Sequence, residues 1–105
     1  MLSNFSWVIE RKLAGMARPN PTDETARELK ALGVGAVVTL ALTALPERLS
    51  SQFIYAHVPI PDFCAPTLEQ VQSYVAFVDE CLANGNAVVT HCTAGYGRTG
   101  TMLAC

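Results

Sequence analysis

The sequence has no long apolar run and no excess of basic residues, and each absence argues against a class of protein. No uninterrupted apolar stretch approaches the roughly 20 residues that a helix needs to cross a bilayer. The first residues also lack the basic segment followed by an apolar one that marks a secretory signal. Seven Lys and Arg against nine Asp and Glu give a net charge of -2, whereas a nucleic-acid surface is normally basic. We therefore expect a cytoplasmic protein, with the nucleus as a second location, that binds neither nucleic acid nor membrane.

The cysteines also lack a pattern, because no CxxC pair occurs among Cys64, Cys81, Cys92 and Cys105. Without a secretory signal, such cysteines are expected to be thiols and not disulfides or zinc ligands. We interpret Cys64 and Cys81 as packing residues, since cysteine behaves as a small apolar side chain. Cys92 differs, because it lies between a histidine and a glycine-rich stretch, where a reactive thiol is expected.

Two stretches have the periodicity and the end signals of helices. Asn20 can cap the first helix, with Pro21 in its first position, and Gly33 ends it. The second begins at a capping box, in which the Thr67 and Gln70 side chains each accept the other's backbone N–H. Its apolar stripe is predicted from residues at spacings of three and four: Leu68, Val71, Val75, Val78 and Leu82.

Runs rich in β-branched residues predict strands between these helices. Residues 36–40 and 87–90 are typical of strands buried on both faces of a parallel sheet. Residues 53–58 and short pieces near Phe5 and Leu13 are further candidates. Alternating helices and buried strands predict one α/β domain with a central, mainly parallel sheet flanked by helices and a phosphate-binding loop between a strand and a helix.

The strand at residues 87–90 leads directly into the sequence HCTAGYGRT at residues 91–99. A thiol at the end of a buried strand, before a glycine-containing loop and a helix start, places several backbone N–H groups around one point. Such groups bind anions, and their field lowers the pKa of the Cys92 thiol and favours its thiolate. Arg98 can hold two oxygens of a bound phosphate with its planar guanidinium. These residues predict attack of Cys92 on phosphorus and a phosphocysteine intermediate.

The leaving oxygen of a phosphate ester needs a proton, and Asp62 is the candidate donor. It lies in a segment with three prolines in eight residues, 59–66, which stiffens a loop. One carboxyl there can act first as acid and then as base. The alternative for Asp62 is an ordinary loop aspartate that caps a turn. The alternative for Cys92 is a glycine-rich turn around a buried thiol.

The loop at residues 91–99 resembles the HCxxxxxR(S/T) loop of the cysteine-based protein tyrosine phosphatase superfamily. The chain is similar to the small atypical dual-specificity members in segments from residue 4 to residue 105. The resemblance implies that Cys92 is the nucleophile, Arg98 the phosphate clamp and Asp62 the general acid on a mobile loop. Thr99 would hydrogen-bond the Cys92 sulfur, and His91 would support the loop. The phosphate-binding amides would be those of Thr93, Ala94, Gly95, Tyr96, Gly97 and Arg98.

The resemblance further implies hydrolysis of phosphotyrosine, and of phosphoserine or phosphothreonine, in phosphorylated proteins, without a metal or other cofactor. We expect a monomer. One alternative is a phosphatase for phosphoinositides or RNA 5′-triphosphates, although such sites usually add basic residues inside the loop. Another is a phosphate-binding fragment without turnover.

Three further expectations concern the loop's surroundings. The last predicted helix, residues 98–105, has no capping residue, and the C-terminal helices of the family are absent after it. We therefore expect one catalytic domain, residues 1–105, that is incomplete at its C-terminus. Cys64 could form a protective disulfide with Cys92 if their Cα atoms came within about 7 Å. For His57 we expect a cross-strand or surface role.

Overall fold

The computed structural model describes residues 5–60 and 66–92, which contain a five-stranded sheet with helices packed on both faces. In chain order the elements are β1 (Ser6–Ile9), β2 (Leu13–Met16), α1 (Asp23–Ala31), β3 (Val34–Thr39), α2 (Glu47–Ser50), β4 (Ile54–His57), α3 (Leu68–Ala83) and β5 (Ala87–His91). The strand order is β1-β2-β5-β3-β4. β1 is antiparallel to β2, and the other neighbouring pairs are parallel. The predicted α/β fold with a mainly parallel sheet is confirmed.

The two faces of the sheet carry separate apolar clusters, because successive strand residues point to opposite sides. The cluster under α3 includes Val38, Val88, Tyr74, Val78, Cys81 and Cys92. The cluster under α1 and α2 includes Val37, Val89, Ala26, Leu29 and Leu49. All five residues of β5 are buried, as expected for a central strand that is covered on both faces, and the first three of them are apolar.

The first helix begins two residues later than predicted. Its N-cap is Thr22, whose hydroxyl accepts a hydrogen bond from the Thr25 N–H at 3.2 Å. The Asn20 carbonyl instead accepts the Thr22 N–H at 2.8 Å, which makes a turn before the helix. Gly33 ends the element as predicted and has a φ of 86°, a conformation that glycine adopts without a Cβ clash.

The capping box of α3 is confirmed. Thr67 Oγ1 accepts the Gln70 N–H at 3.1 Å, and Gln70 Oε1 accepts the Thr67 N–H at 2.9 Å. Gln70 Nε2 also donates to the carbonyl of Pro59 at 2.7 Å. The box therefore fixes the start of α3 and connects it to the chain that leaves β4. Of the helices in the described ranges, none is long and apolar enough to cross a membrane.

The predicted apolar stripe of α3 is partly wrong. Leu68 is 72% exposed and Val75 36% exposed, whereas Tyr74 is buried. The tyrosine is tolerated there because its hydroxyl hydrogen-bonds Thr90 Oγ1 of β5 at 2.9 Å. The buried face of α3 therefore consists of Tyr74, Val78 and Cys81, with Val71, Phe77 and Leu82 partly buried beside them.

The capping box gives a first prediction. Thr67→Ala removes the hydroxyl that accepts the Gln70 N–H, and we expect the free energy of unfolding to fall by about 1 kcal/mol. Urea denaturation measures the change. Ser73→Ala, at an exposed position within α3, is the matched control and should leave stability nearly unchanged. Equal effects of the two substitutions would contradict a specific contribution from the cap.

Candidate active site

Cys92 lies at the carboxyl edge of the sheet, directly after the central strand β5. The register pairs His91 with Met16 of β2 on one side and with Thr39 of β3 on the other. Cys92 is 3% exposed and belongs to the apolar cluster under α3. α/β sheets bind ligands beyond the carboxyl ends of their strands, so the thiol stands at the expected edge.

The side chain of His91 is fully buried, and both ring nitrogens have partners. Nδ1 lies 3.2 Å from the carbonyl oxygen of Cys92, and Nε2 lies 2.7 Å from Thr39 Oγ1. Because a carbonyl oxygen can only accept, Nδ1 must donate, and in the neutral ring Nε2 then accepts the Thr39 hydroxyl proton.

Burial also keeps this ring neutral. It lowers the pKa of His91 to about 4, while the bond to the Cys92 carbonyl acts in the opposite direction and the charges of Arg18 and His57 lower the pKa further. At neutral pH the imidazole is therefore a fixed neutral donor to the backbone of Cys92.

Thr39 and Tyr55 extend the contacts of His91 away from Cys92. The Tyr55 hydroxyl donates to Thr39 Oγ1 at 2.7 Å and accepts the Leu45 N–H at 2.9 Å. The donors therefore run in one direction, from the Leu45 N–H through Tyr55, Thr39 and His91 to the Cys92 carbonyl. We call these four hydrogen bonds the relay.

Sequence reasoning missed the two hydroxyl residues of the relay. A signal was present in Thr39, a polar residue at the end of a buried run, because a buried hydroxyl requires a partner. The sequence could not predict which residue that partner is, since His91 is 52 positions away along the chain.

Arg18 fixes the loop from which the relay begins. It follows β2 at the same edge of the sheet, and its Nη1 and Nη2 donate to the carbonyls of Thr43 and Ala44, both at 2.9 Å. The next residue in that loop is Leu45, whose N–H is the first donor of the relay. The guanidinium therefore holds the β3–α2 loop against the end of β2.

The predicted acid, Asp62, lies outside the described residues, as does Cys64. The same holds for the remaining predicted loop residues: Thr93, Ala94, Gly95, Tyr96, Gly97, Arg98 and Thr99. The described chain nevertheless brings the start of the Asp62 segment close to β5. The Ile60 N–H donates to the Leu40 carbonyl at 3.0 Å, and the Leu40 N–H donates to the His91 carbonyl at 2.8 Å. Ile60 is fully buried in the same apolar cluster as Cys92.

Two other predicted roles can be compared with the structure. Cys81 is a packing residue, as predicted: it is buried in the cluster under α3, and burial, followed by the charge of Glu80, raises the pKa of its thiol. His57 makes a contact beyond its own strand, because its Nε2 donates to the carbonyl of Ala41 at 2.7 Å. Within residues 5–60 and 66–92, no three His, Cys, Asp or Glu side chains form a group that could hold a metal ion.

A surface cavity of about 410 Å³ lies beside this edge of the sheet. Its lining combines the end of β4 with the first turns of α3: His57, Val58, Pro59, Thr67, Glu69, Gln70 and Ser73. Because β4 is parallel to β3 and β5, the cavity opens at the same carboxyl edge as Cys92.

Comparison with models of protein families identifies the family of this chain. A model of the family described as "Polymorphic toxin system, DSP-PTPase phosphatase" matches residues 14–105. The chain belongs to this family. The match with the DSP-PTPase family includes the buried strands, the relay and Cys92, and it agrees with the resemblance carried by the HCxxxxxR(S/T) sequence.

Two curated proteins are similar to almost the whole chain. Phosphatidylglycerophosphate phosphatase PTPMT1 of Arabidopsis thaliana is 36% identical over 112 residues, which cover 98% of this chain and 32% of that protein. PTPMT2 of the same organism, with the same named activity, is 33% identical over 98% of this chain and 48% of its own length. The chain therefore spans about a third to a half of these curated relatives.

Solved structures show the same fold. The crystal structure of Tk-PTP in the active form has a TM-score of 0.79 and 29% identity, over 97% of this chain and 70% of that chain. PTPMT1 in complex with PI(5)P has a TM-score of 0.77 and 23% identity, over 91% of this chain and 67% of that chain. The second likeness concerns the fold alone.

Proposed function

We propose that this chain is the catalytic part of a phosphatase that hydrolyses phosphate monoesters through a phosphocysteine at Cys92. The observation that carries the proposal is the position of Cys92. It is buried at the carboxyl end of the central strand and immediately precedes the loop sequence that a phosphate-binding cysteine requires. Membership of the DSP-PTPase family supports the same chemistry.

In the proposed first step the Cys92 thiolate attacks phosphorus. An S–P bond forms, the P–O ester bond breaks, and the leaving oxygen takes a proton from Asp62. Arg98 and the backbone amides of residues 93–98 would hold the other phosphate oxygens and stabilise their charge.

In the second step a water molecule gives its proton to the Asp62 carboxylate and attacks the phosphocysteine. The S–P bond breaks, inorganic phosphate leaves, and Thr99 donates a hydrogen bond to the departing Cys92 sulfur. His91 acts on the protein and not on the substrate, since its Nδ1 donates to the backbone carbonyl of Cys92.

The proposed substrate is a phosphorylated protein, with phosphotyrosine as the first candidate residue. The five residues between Cys92 and Arg98 are all uncharged, so none of them offers a positive charge for the additional negative charge of an inositol phosphate or triphosphate. A phospholipid headgroup is the second candidate, because relatives that are 36% and 33% identical over 98% of this chain are phosphatidylglycerophosphate phosphatases.

The experiment that tests the proposal offers the full chain three substrates in parallel: p-nitrophenyl phosphate, a phosphotyrosine peptide, and phosphatidylglycerophosphate in vesicles. We expect steady release of product from the aryl ester, and acid quenching during turnover should leave phosphate on the peptide that contains Cys92. The ratio of peptide to vesicle hydrolysis distinguishes the two substrate candidates. A single burst without turnover would identify a phosphate-binding fragment, and no reaction with any of the three would overturn the proposal.

A further inference from the structure

The surface cavity beside the carboxyl edge of the sheet has a polar lining with one carboxylate. Residues at the end of β4 and in the first turns of α3 line it, and they include Glu69 but no lysine or arginine. Its volume of about 410 Å³ lies within the roughly 300–1,000 Å³ that is typical of pockets for small groups. A group that enters this cavity therefore meets a negative charge.

Glu69 and Ser73 place two oxygen acceptors on one wall of the cavity. They are four positions apart in α3, so their side chains lie on the same face of the helix. Among the residues that the structure describes, neither the carboxylate nor the hydroxyl has a hydrogen-bond or ion-pair partner. The ligand that matches them carries a positive charge and several N–H donors, which is the chemistry of the arginine guanidinium.

The side chain of Gln70 fixes the two walls of the cavity relative to each other. Its Oε1 accepts the Thr67 N–H, and its Nε2 donates to the Pro59 carbonyl. These bonds hold the first turn of α3 against the chain that leaves β4. Because the walls are already in place, binding in the cavity costs less ordering of the protein.

The register of the sheet gives the distance from the cavity to the phosphate site. Thr39 pairs with His57 on one side and with His91 on the other, so the ends of β4 and β5 are level. Neighbouring strands lie about 4.8 Å apart, which places His57 about 10 Å from His91. His57 lines the cavity, and Cys92 follows His91. An extended peptide advances about 3.3 Å per residue, so about three residues span this distance.

We propose that this cavity is a substrate subsite, which binds an arginine side chain about three residues from the phosphotyrosine of a phosphorylated protein. Glu69 is its specificity-determining residue. The inference rests on the proposed function, because it concerns the protein substrate of Cys92. The carboxylate would repel the anionic surface of a phospholipid vesicle, so the subsite favours the first of the two substrate candidates.

Arginine and citrulline provide matched substrates for the test. Their side chains have nearly the same shape, but citrulline has a neutral urea group. Phosphotyrosine peptides carry one or the other at two, three or four positions from phosphotyrosine, on either side. With the full chain we expect the arginine peptide at the preferred position to have a KM roughly three- to fivefold below that of its citrulline partner, with kcat within about twofold. This is the size of one exposed, charge-assisted contact.

Glu69→Gln keeps the length of the side chain and removes its charge. We expect this variant to hydrolyse the arginine and citrulline peptides with equal KM, and Glu69→Lys to prefer a peptide with glutamate at the same position. p-Nitrophenyl phosphate has no second group to enter the cavity, so its hydrolysis by Glu69→Gln should match the parent. Glu80→Gln is the matched control, because it makes the same change at an exposed position near the other end of α3. It should keep the preference of the parent.

A binding measurement separates the subsite from the proposed function, because it needs no turnover. In nitrogen-15 NMR spectra of the full chain, Nα-acetylarginine amide should shift the backbone amide signals of Glu69 and Ser73, and Nα-acetylcitrulline amide should not. If these shifts occurred but no phosphopeptide were hydrolysed, the proposed function would fail and the subsite would stand.

Two results would overturn the subsite. If phosphotyrosine peptides were hydrolysed with equal KM for arginine and citrulline at every position, the function would stand and the subsite would be wrong. An arginine preference that survived in Glu69→Gln would place the recognition of arginine elsewhere on the protein.

Discussion

Cys92→Ser should lower the turnover of p-nitrophenyl phosphate by roughly 10⁴-fold or more, since loss of a covalent nucleophile removes the reaction path itself. The exchange alters one atom directly after β5 and leaves the backbone bond between Leu40 and His91 in place. A serine hydroxyl is not ionised at neutral pH, so it cannot replace the thiolate that the proposed mechanism requires. Initial rates with increasing enzyme concentration measure the residual activity.

Cys81→Ser is the matched control for this prediction. Cys81 is also buried in the cluster under α3, but it lies on the helix and its thiol pKa is raised by burial. Introducing a hydroxyl there should cost stability and leave turnover per folded molecule near the parent value. If both serine variants lost activity to the same extent, general damage to the core would explain the loss, and Cys92 would have no special role.

The second large effect concerns pH and the buried ring of His91. Its pKa is lowered to about 4 in the folded chain from an ordinary value of 6.5. Above pH 6.5 the ring is neutral in the folded and unfolded states, and pH does not affect stability through this group. As pH falls from 6.5 toward 4, the unfolded state binds a proton that the folded state does not, so the free energy of unfolding decreases. The complete loss through this one group amounts to about 3 kcal/mol.

Urea denaturation at intervals between pH 7.5 and pH 4.5, for the parent and for His91→Gln, isolates this contribution. Carboxylates titrate in both proteins, so the difference between the two pH profiles belongs to His91. We expect the parent to lose stability more steeply than the glutamine variant. His57→Gln, at an exposed residue, should keep most of the steep profile of the parent, because burial is the largest cause of the lowered pKa of His91 and the charge of His57 a smaller one. Parallel profiles for the parent and His91→Gln would contradict a neutral buried ring.

The parts of the fold that depend on residues close together in the sequence could be predicted. The Thr67 and Gln70 pair lies three residues apart, and the capping box it predicts is present. The β-branched and apolar character of residues 87–90 correctly indicated a buried strand of a parallel sheet. The cap of α1 is Thr22 and not Asn20, because both residue types can cap a helix and the sequence alone does not choose between them.

Features that depend on contacts between residues far apart in the sequence could not be predicted in this way. The apolar stripe of α3 was mispredicted at Leu68 and Val75, because the hydrogen bond between the Tyr74 hydroxyl and Thr90 cannot be inferred from the sequence. The thiol, the arginine and the candidate acid were found from their residue types and spacing. The hydrogen bonds of Tyr55 and Thr39 in the relay were not found. Both are ordinary strand residues in the sequence, and only the register of β3, β4 and β5 brings their side chains together.

The position of β5 has a consequence for how the protein is made. Synthesis delivers β1, β2, β3 and β4 first, yet β2 and β3 are joined only through β5, which is inserted between them. Until residue 91 has been synthesised, the two halves of the sheet expose unpaired strand edges, and such edges can pair wrongly with other chains. Cys92 directly follows the strand that closes this gap. The thiol is therefore enclosed in the step that completes the sheet, and a chain that has not finished folding has no assembled site.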